Sequence, residues 1–221
     1  MELYIDSANL SEIQAMASTG IISGVTTNPT LLAKEDPTLD VKELIKHIHA
    51  TIGGHVSVEV ISTDTKGMLK EADEILKWFP EATIKIPMIP NGLSAVKELS
   101  KQNIPTNVTL IFSPGQALAA NNAGATYVSV LLGRLDDIGQ DGVAVVKETC
   151  EIWDRHGLES MIIAASIRHP IHVLECAKAG ADIATTPYKI LQQLMKHPLT
   201  DAGVASFIAD HEKMMSAKGG K

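Results

Sequence analysis

Two hydrophobic patterns alternate along the whole chain. Short apolar runs rich in Val, Ile and Thr fall at residues 2–6, 25–28, 56–60, 82–86, 107–111, 127–131, 161–166 and 183–185. They have the length and composition of β-strands. Between them lie longer stretches, such as 10–19 and 66–78, whose apolar residues recur at three- and four-residue spacing, as on one face of a helix. Asn9 and Glu12 have the spacing of a capping box, Pro170 suits a first helical turn, and Gly180 suits a helix end. Eight strand–helix units with short links predict an α/β protein, a (β/α)8 TIM barrel. A last amphipathic segment, 201–218, predicts an extra C-terminal helix packed on the outside. No linker interrupts the pattern, so residues 1–221 read as a single barrel domain.

The alternation within the strands adds a second layer of information. Successive side chains point to opposite faces. One parity carries Leu3, Ile5, Val56, Val58, Val60, Ile84, Ile86, Val108, Leu110, Val128 and Val130, and predicts the face that packs on helices. The other carries Asp6, Thr26, Asn28, Ser57, Glu59, Thr83, Lys85, Asn107, Thr109, Ser129 and Ser166. These polar residues would point into the barrel, mostly near the carboxyl ends of the strands, where barrels of this kind place their active sites. Lys85 stands out, because it lies in the apolar run Ala82-Thr83-Ile84-Lys85-Ile86. An unpartnered ammonium is costly to bury, and an amine held that way is inclined to shed its proton and attack a carbonyl as a Schiff-base nucleophile. The plain alternative is a structural lysine paired with an inward carboxylate.

Composition narrows the classes. The chain has 221 residues, 45% hydrophobic, enough for one sizeable core, and a formal net charge of −7. That charge argues against a general nucleic-acid or membrane-surface binder. Neither a membrane-spanning run nor a secretory leader is visible. Cys150 and Cys176 fall in helical patterns and read as reduced, buried cysteines of a cytoplasmic protein. The eight histidines are scattered, with no zinc-ligand spacing, and no G-x-G-x-x-G or P-loop pattern follows a strand.

Seven motifs carry a resemblance: Asp6-Ser7-Ala8-Asn9, Gly24-Val25-Thr26-Thr27-Asn28-Pro29, Val58-Glu59-Val60, Ile84-Lys85-Ile86-Pro87, Asn107-Val108-Thr109, Gly133-Arg134 and Ala165-Ser166-Ile167-Arg168. In order and spacing they resemble the transaldolase family, in its short single-barrel branch that includes the fructose-6-phosphate aldolases. The resemblance implies a class I aldolase mechanism with no metal and no other cofactor. It implies that Lys85 is the Schiff-base lysine and Asp6 the general acid/base. Glu59 and Thr109 would hold a catalytic water, with Asn28 and Asn107 orienting substrate hydroxyls. Thr26 and Ser129 would add polar groups to the pocket. Arg134 and Arg168, two of the chain's three arginines, would grip a phosphate together with Ser166.

The resemblance further implies sugar-phosphate substrates. The expected reaction is transfer of a dihydroxyacetone unit from sedoheptulose 7-phosphate or fructose 6-phosphate to glyceraldehyde 3-phosphate or erythrose 4-phosphate, in the pentose phosphate pathway. It implies a homo-oligomer, a pentamer or decamer, and no nucleic-acid or membrane partner. Fructose-6-phosphate aldolases, which release free dihydroxyacetone, carry a glutamine in place of Glu59 and a tyrosine in place of Leu131; this chain has the glutamate and lacks the tyrosine. Many transaldolases have Ser-Pro-Phe before Gly-Arg, where this chain has Ser129-Val130-Leu131-Leu132. The aldolase reading therefore stands as the alternative, and a non-catalytic sugar-phosphate-binding barrel as a further one.

Overall fold

A computed structural model describes residues 1–36 and 38–218. Its first half runs β1 (Glu2–Asp6), α1 (Leu10–Ala17), β2 (Gly24–Thr26), α2 (Pro29–Leu32), α3 (Val41–Ile52), β3 (His55–Glu59), α4 (Thr65–Trp78), β4 (Thr83–Pro87) and α5 (Pro90–Ser100). The second half continues with β5 (Thr106–Ile111), α6 (Pro114–Asn122), β6 (Tyr127–Leu131), α7 (Leu132–Asp136), α8 (Gly142–His156), β7 (Met161–Ala165), α9 (Pro170–Ala179), β8 (Ile183–Thr186), α10 (Tyr188–Leu194) and α11 (Pro198–Lys218). The eight strands are parallel and close in sequence order, with β8 pairing back onto β1. This is the (β/α)8 TIM barrel that the alternating pattern predicts.

The helix signals act as local chemistry requires. Asn9 accepts the Glu12 N–H at 3.1 Å and so caps α1. The reciprocal arm of the capping box is indirect: the Asn9 N–H goes to Ser7 Oγ, which in turn donates to Glu12. Pro170 opens α9, and Gly180 closes it with φ 98, a left-handed geometry that costs glycine little.

The core has two layers. Between sheet and helices, Ile5, Val25, Val56, Ile84, Ile86, Val108, Val128 and Val130 pack against Ile13, Ile48, Met68, Leu99 and Leu191, all buried. Each such aliphatic side chain contributes about 1.5–3 kcal/mol when taken fully out of water. Inside the barrel a separate cluster forms from Tyr4, Leu131, Ile163, Ala165 and Ile183, joined by Tyr127 and Met161. Tyr4 lies across the interior so closely that a Cβ on Gly24 would sit 2.7 Å from its ring. His55 stacks on Tyr4, with ring centroids 5.1 Å apart, and meets Tyr127 edge-on at 4.6 Å. These rings plug the amino-terminal end of the barrel and leave the carboxyl end open.

Four sequence expectations change. Leu110 does not face the helices: the pairing of β5 with β6 shifts between Val108 and Ile111, and Leu110 adopts φ 62, packing against the interior cluster. An extra residue in one strand turns its side chain across the sheet, as in any β-bulge. β2 ends at Thr26, so Asn28 is the cap of α2 rather than a strand residue. β7 ends at Ala165, and Ser166 leaves the strand with φ 63. α11 starts earlier than expected, at Pro198, and does not pack on its own barrel. Its residues up to 217 are exposed except the half-buried Gly203. Among the described residues no helix is long and apolar enough to cross a membrane.

Candidate active site

Strand register brings the polar inner positions together. Asp6 and Thr26 are direct partners across β1 and β2, and Glu59 and Lys85 across β3 and β4. Lys85 is therefore not unpartnered. Its ammonium lies 3.0 Å from Glu59 Oε2 and donates to the Thr27 carbonyl at 2.9 Å. Only 9% of the Lys85 side chain is exposed, so this pair satisfies a charge that burial would otherwise penalise. The paired-lysine alternative thus describes the resting contact, and that contact also sets a carboxylate beside the amine.

Asp6 is held differently. Thr26 donates to its Oδ1 at 2.8 Å, and because the single Thr26 proton is used there, the Thr185 hydroxyl at 2.5 Å must donate to Thr26. Burial pushes the Asp6 carboxyl above the ordinary aspartate range. The Lys85 ammonium, the Thr26 hydrogen bond, Lys34 and Arg134 oppose that rise. A carboxyl poised upward in this way can take a proton and return it near neutral pH.

These groups line a pocket of about 420 Å³ at the carboxyl end of the barrel. Of the residues that sequence reasoning picked, Asp6, Thr26, Asn28, Glu59, Lys85, Thr109, Ser129, Arg134, Ser166 and Arg168 all reach its wall. Asn107 does not. It is fully buried beneath the pocket, donating to Ser57 at 3.1 Å and accepting from Ser129 at 2.7 Å. Asn28 lines the wall while its side-chain Oδ1 caps α2 by accepting the Leu31 N–H at 3.0 Å. Leu131 and Leu110 supply the apolar side. Sequence reasoning missed Leu110 and Thr185: a left-handed leucine leaves no mark in the hydrophobic pattern, whereas extending the period-two reading to Ile183 and Thr185 would have found the threonine.

At the mouth, the end of β6 and the end of β7 carry the two arginines. A Cβ on Gly133 would lie 1.9 Å from the Ser166 carbonyl oxygen, so only glycine lets α7 approach the β7 exit this closely. Arg168 pairs with Asp137 at 2.8 Å, an exposed contact in the unliganded protein. Asp136 lies 3.0 Å from His172 Nε2, and its other carboxylate oxygen accepts the Gly142 N–H. The start of α9 offers an anion fewer N–H groups than a helix start usually does. Its first residue, Pro170, has no N–H, and the Arg168 N–H faces His172 Nδ1 at 3.4 Å. Cys150 and Cys176 are free, buried, and pushed up to about 12 by burial, which leaves them unreactive.

A closed parallel barrel with a buried amine, two inward carboxyls and paired arginines at the carboxyl end of its strands defines an enzyme-type TIM barrel. The chain belongs to the Transaldolase/Fructose-6-phosphate aldolase family, whose profile matches residues 3–218. It is 55% identical over 214 residues to a probable transaldolase of Clostridium botulinum, covering 97% of this chain and 99% of that one. Similar relatives are probable transaldolases of Heliobacterium modesticaldum, 54% identical with 97% and 99% covered, and of Geobacillus kaustophilus, 54% identical with 95% and 98% covered. Among solved structures, a thiamine phosphate pyrophosphorylase from Pyrococcus furiosus superposes with a TM-score of 0.61 at 14% identity, covering 84% of this chain and 85% of that one. That likeness is one of fold.

Proposed function

We propose that this chain is a transaldolase, acting as a single barrel domain. It would transfer a dihydroxyacetone unit from a ketose phosphate, sedoheptulose 7-phosphate or fructose 6-phosphate, to glyceraldehyde 3-phosphate or erythrose 4-phosphate. The observation that carries this reading is the Lys85–Glu59 contact of 3.0 Å inside a pocket that also holds Asp6 and two arginines. In the proposed mechanism Lys85 gives up a proton to Glu59 and attacks the ketone carbon, and the carbinolamine loses water to become an iminium. Glu59 and Thr109 hold and activate that water for the later hydrolysis. Asp6 takes the proton of the β-hydroxyl as the bond between the α and β carbons breaks, and the electron pair moves into the iminium to give an enamine. The aldose phosphate leaves, an acceptor aldehyde binds, and the enamine carbon attacks it. Asp6 returns its proton to the new hydroxyl, and water releases the product ketose from Lys85. Thr26 and Asn28 would orient hydroxyls, and Arg134, Arg168 and Ser166 would hold the phosphate.

The reading places the protein in the cytoplasm and in the pentose phosphate pathway. It also includes a homo-oligomer, a pentamer or decamer. Support comes from α11, which exposes Leu199, Val204, Phe207, Ile208, Met214 and Met215 without covering them on its own barrel. The test supplies fructose 6-phosphate with and without erythrose 4-phosphate. Transfer predicts product only with the acceptor. Free dihydroxyacetone at the same rate without acceptor would replace this reading with an aldolase. Borohydride with fructose 6-phosphate should add a reduced three-carbon unit to Lys85.

A further inference from the structure

Beneath the pocket a chain of hydrogen bonds crosses the barrel interior from Ser129 to His55. Ser129 Oγ donates to Asn107 Oδ1 at 2.7 Å, and Asn107 Nδ2 donates to Ser57 Oγ at 3.1 Å. Ser57 Oγ lies 2.6 Å from His55 Nε2, and His55 Nδ1 lies 3.4 Å from Thr83 Oγ1. Ser57 and Asn107 are fully buried and Ser129 nearly so, so no bulk solvent competes for the two bonds that Asn107 makes, while His55 is half-buried. The participants are inner-face positions of β3, β4, β5 and β6.

The chain has one direction. Ser57 Oγ already accepts from Asn107, and its hydroxyl has no other hydrogen-bond partner among the described residues than His55. With the Asn107 amide oriented to donate toward Ser57, the Ser57 proton goes to His55 Nε2, which leaves the imidazole proton on Nδ1, facing Thr83. In that amide orientation the opposite tautomer would set an N–H against Ser57 and strand the serine proton in a dry interior, a loss of about 1–3 kcal/mol. The clamp of Tyr4 and Tyr127 around the ring fixes its plane. Burial also keeps the ring neutral, pushing it down to about 4.

We propose that His55 is a positioning residue that fixes this direction, so that Ser129 meets the substrate with its lone pairs and accepts a hydrogen bond from a substrate hydroxyl. Ser129 lines the pocket, and its own proton is committed downward to Asn107. A hydroxyl at that place is bound, and a carbonyl or ether oxygen there is repelled. The consequence rests on the transaldolase reading, because it assigns a polarity to the pocket that holds the polyhydroxylated unit.

The test has two arms. Nitrogen-15 NMR of histidine-labelled protein, with His55 assigned from the His55→Gln spectrum, should show a neutral ring protonated at Nδ1. A ring protonated at Nε2, or at both nitrogens, at neutral pH overturns the proposal. In the second arm His55→Leu removes the acceptor for Ser57, and His55→Gln offers its Oε1 in place of Nε2. We expect the ketose-phosphate KM to rise about tenfold in His55→Leu, the size of one lost hydrogen bond, with kcat changing less than about threefold. His55→Gln should recover most of that KM. An unchanged KM in His55→Leu, or equal values in the two variants, overturns it. A wild-type protein that fails to trap substrate at Lys85 would sink the activity reading instead, while the ring measurement still decides the direction of the chain.

Discussion

Lys85 Nζ and Glu59 Oε2 stand 3.0 Å apart because their residues are direct partners across β3 and β4 on the inner face of the barrel. The Lys85 amine is therefore held as half of an ion pair, and the proton acceptor of the proposed mechanism is already in contact. Lys85→Met should abolish both turnover and borohydride trapping. It should also cost roughly 1–3 kcal/mol of stability, less than for a fully buried pair, because the Glu59 side chain keeps 17% exposure. Trapping that persists in Lys85→Met would show that another lysine carries the substrate. Urea unfolding measures the stability term.

Asp6 should set the acid limb of the pH profile. Its carboxyl is raised by burial, and in the proposed mechanism the carboxylate is the form that takes the substrate proton. Activity should thus fall as pH drops through a value above the ordinary aspartate range. Asp6→Asn should lower kcat about 10²–10⁴-fold and erase that limb. A limb of the same position in the variant would assign it to another group.

The two arginines should act on phosphate alone. Arg134→Ala and Arg168→Ala are each expected to raise KM for phosphorylated substrates about 10–100-fold, as for loss of a charge-assisted hydrogen bond. An unphosphorylated analogue such as free dihydroxyacetone should be unaffected. Asp137→Asn, which breaks only the exposed pair with Arg168, should change stability by less than about 1 kcal/mol. A lower phosphate KM in Asp137→Asn would show that Asp137 competes with substrate for Arg168.

Gly133→Ala should be poorly tolerated despite adding one methyl. The Ser166 carbonyl and the Arg168 side chain occupy that space, at 1.9 Å and 2.9 Å from the added carbon. We expect a loss of about 1–3 kcal/mol together with a raised KM, since both arginines move with these backbones. Thermal unfolding alongside kinetics separates the two effects.

His55 predicts an acid-sensitive fold. Its folded value of about 4 lies below the free value of 6.5, so the unfolded chain binds the extra proton between these pH values. The contribution is fully present above about 6.5 and is lost as pH falls toward 4, by about 3 kcal/mol in all. Asp6 has the opposite sign, because its raised carboxyl favours the folded state at lower pH. The readout is therefore the difference between wild type and His55→Gln, measured by urea unfolding from pH 7 to pH 4. Parallel curves for the two proteins would remove His55 as the cause.

Much of this was legible from local pattern. Strand and helix order, the inward set containing Asp6, Glu59, Lys85 and Thr109, and the caps at Asn9 and Gly180 follow from side-chain alternation and helix-end chemistry, which depend on neighbours a few residues away. What escaped depends on partners distant in sequence. Leu110 has a leucine's hydrophobicity on either face, and only the bulge against β6 turns it inward. Asn107 has the parity of a pocket residue, yet Ser57 and Ser129 claim its amide below the surface. The apolar residues of α11 say that apolar surface exists there, but not what covers it.

The sequence by itself determined that the chain closes as an alternating α/β barrel and which residue types face its interior, because both rest on the two-residue period of a strand and on the burial of its apolar side. It also placed the lysine, the acids and the arginines near the strand ends. Only the tertiary structure decided that Lys85 is paired rather than lone, that Gly133 lets the two arginine-bearing segments meet, and that His55 sits beneath Ser129 at the far end of a directed chain. Those facts depend on inter-strand register and on ring closure. Both are settled by the joint packing of all eight strands rather than by any one segment.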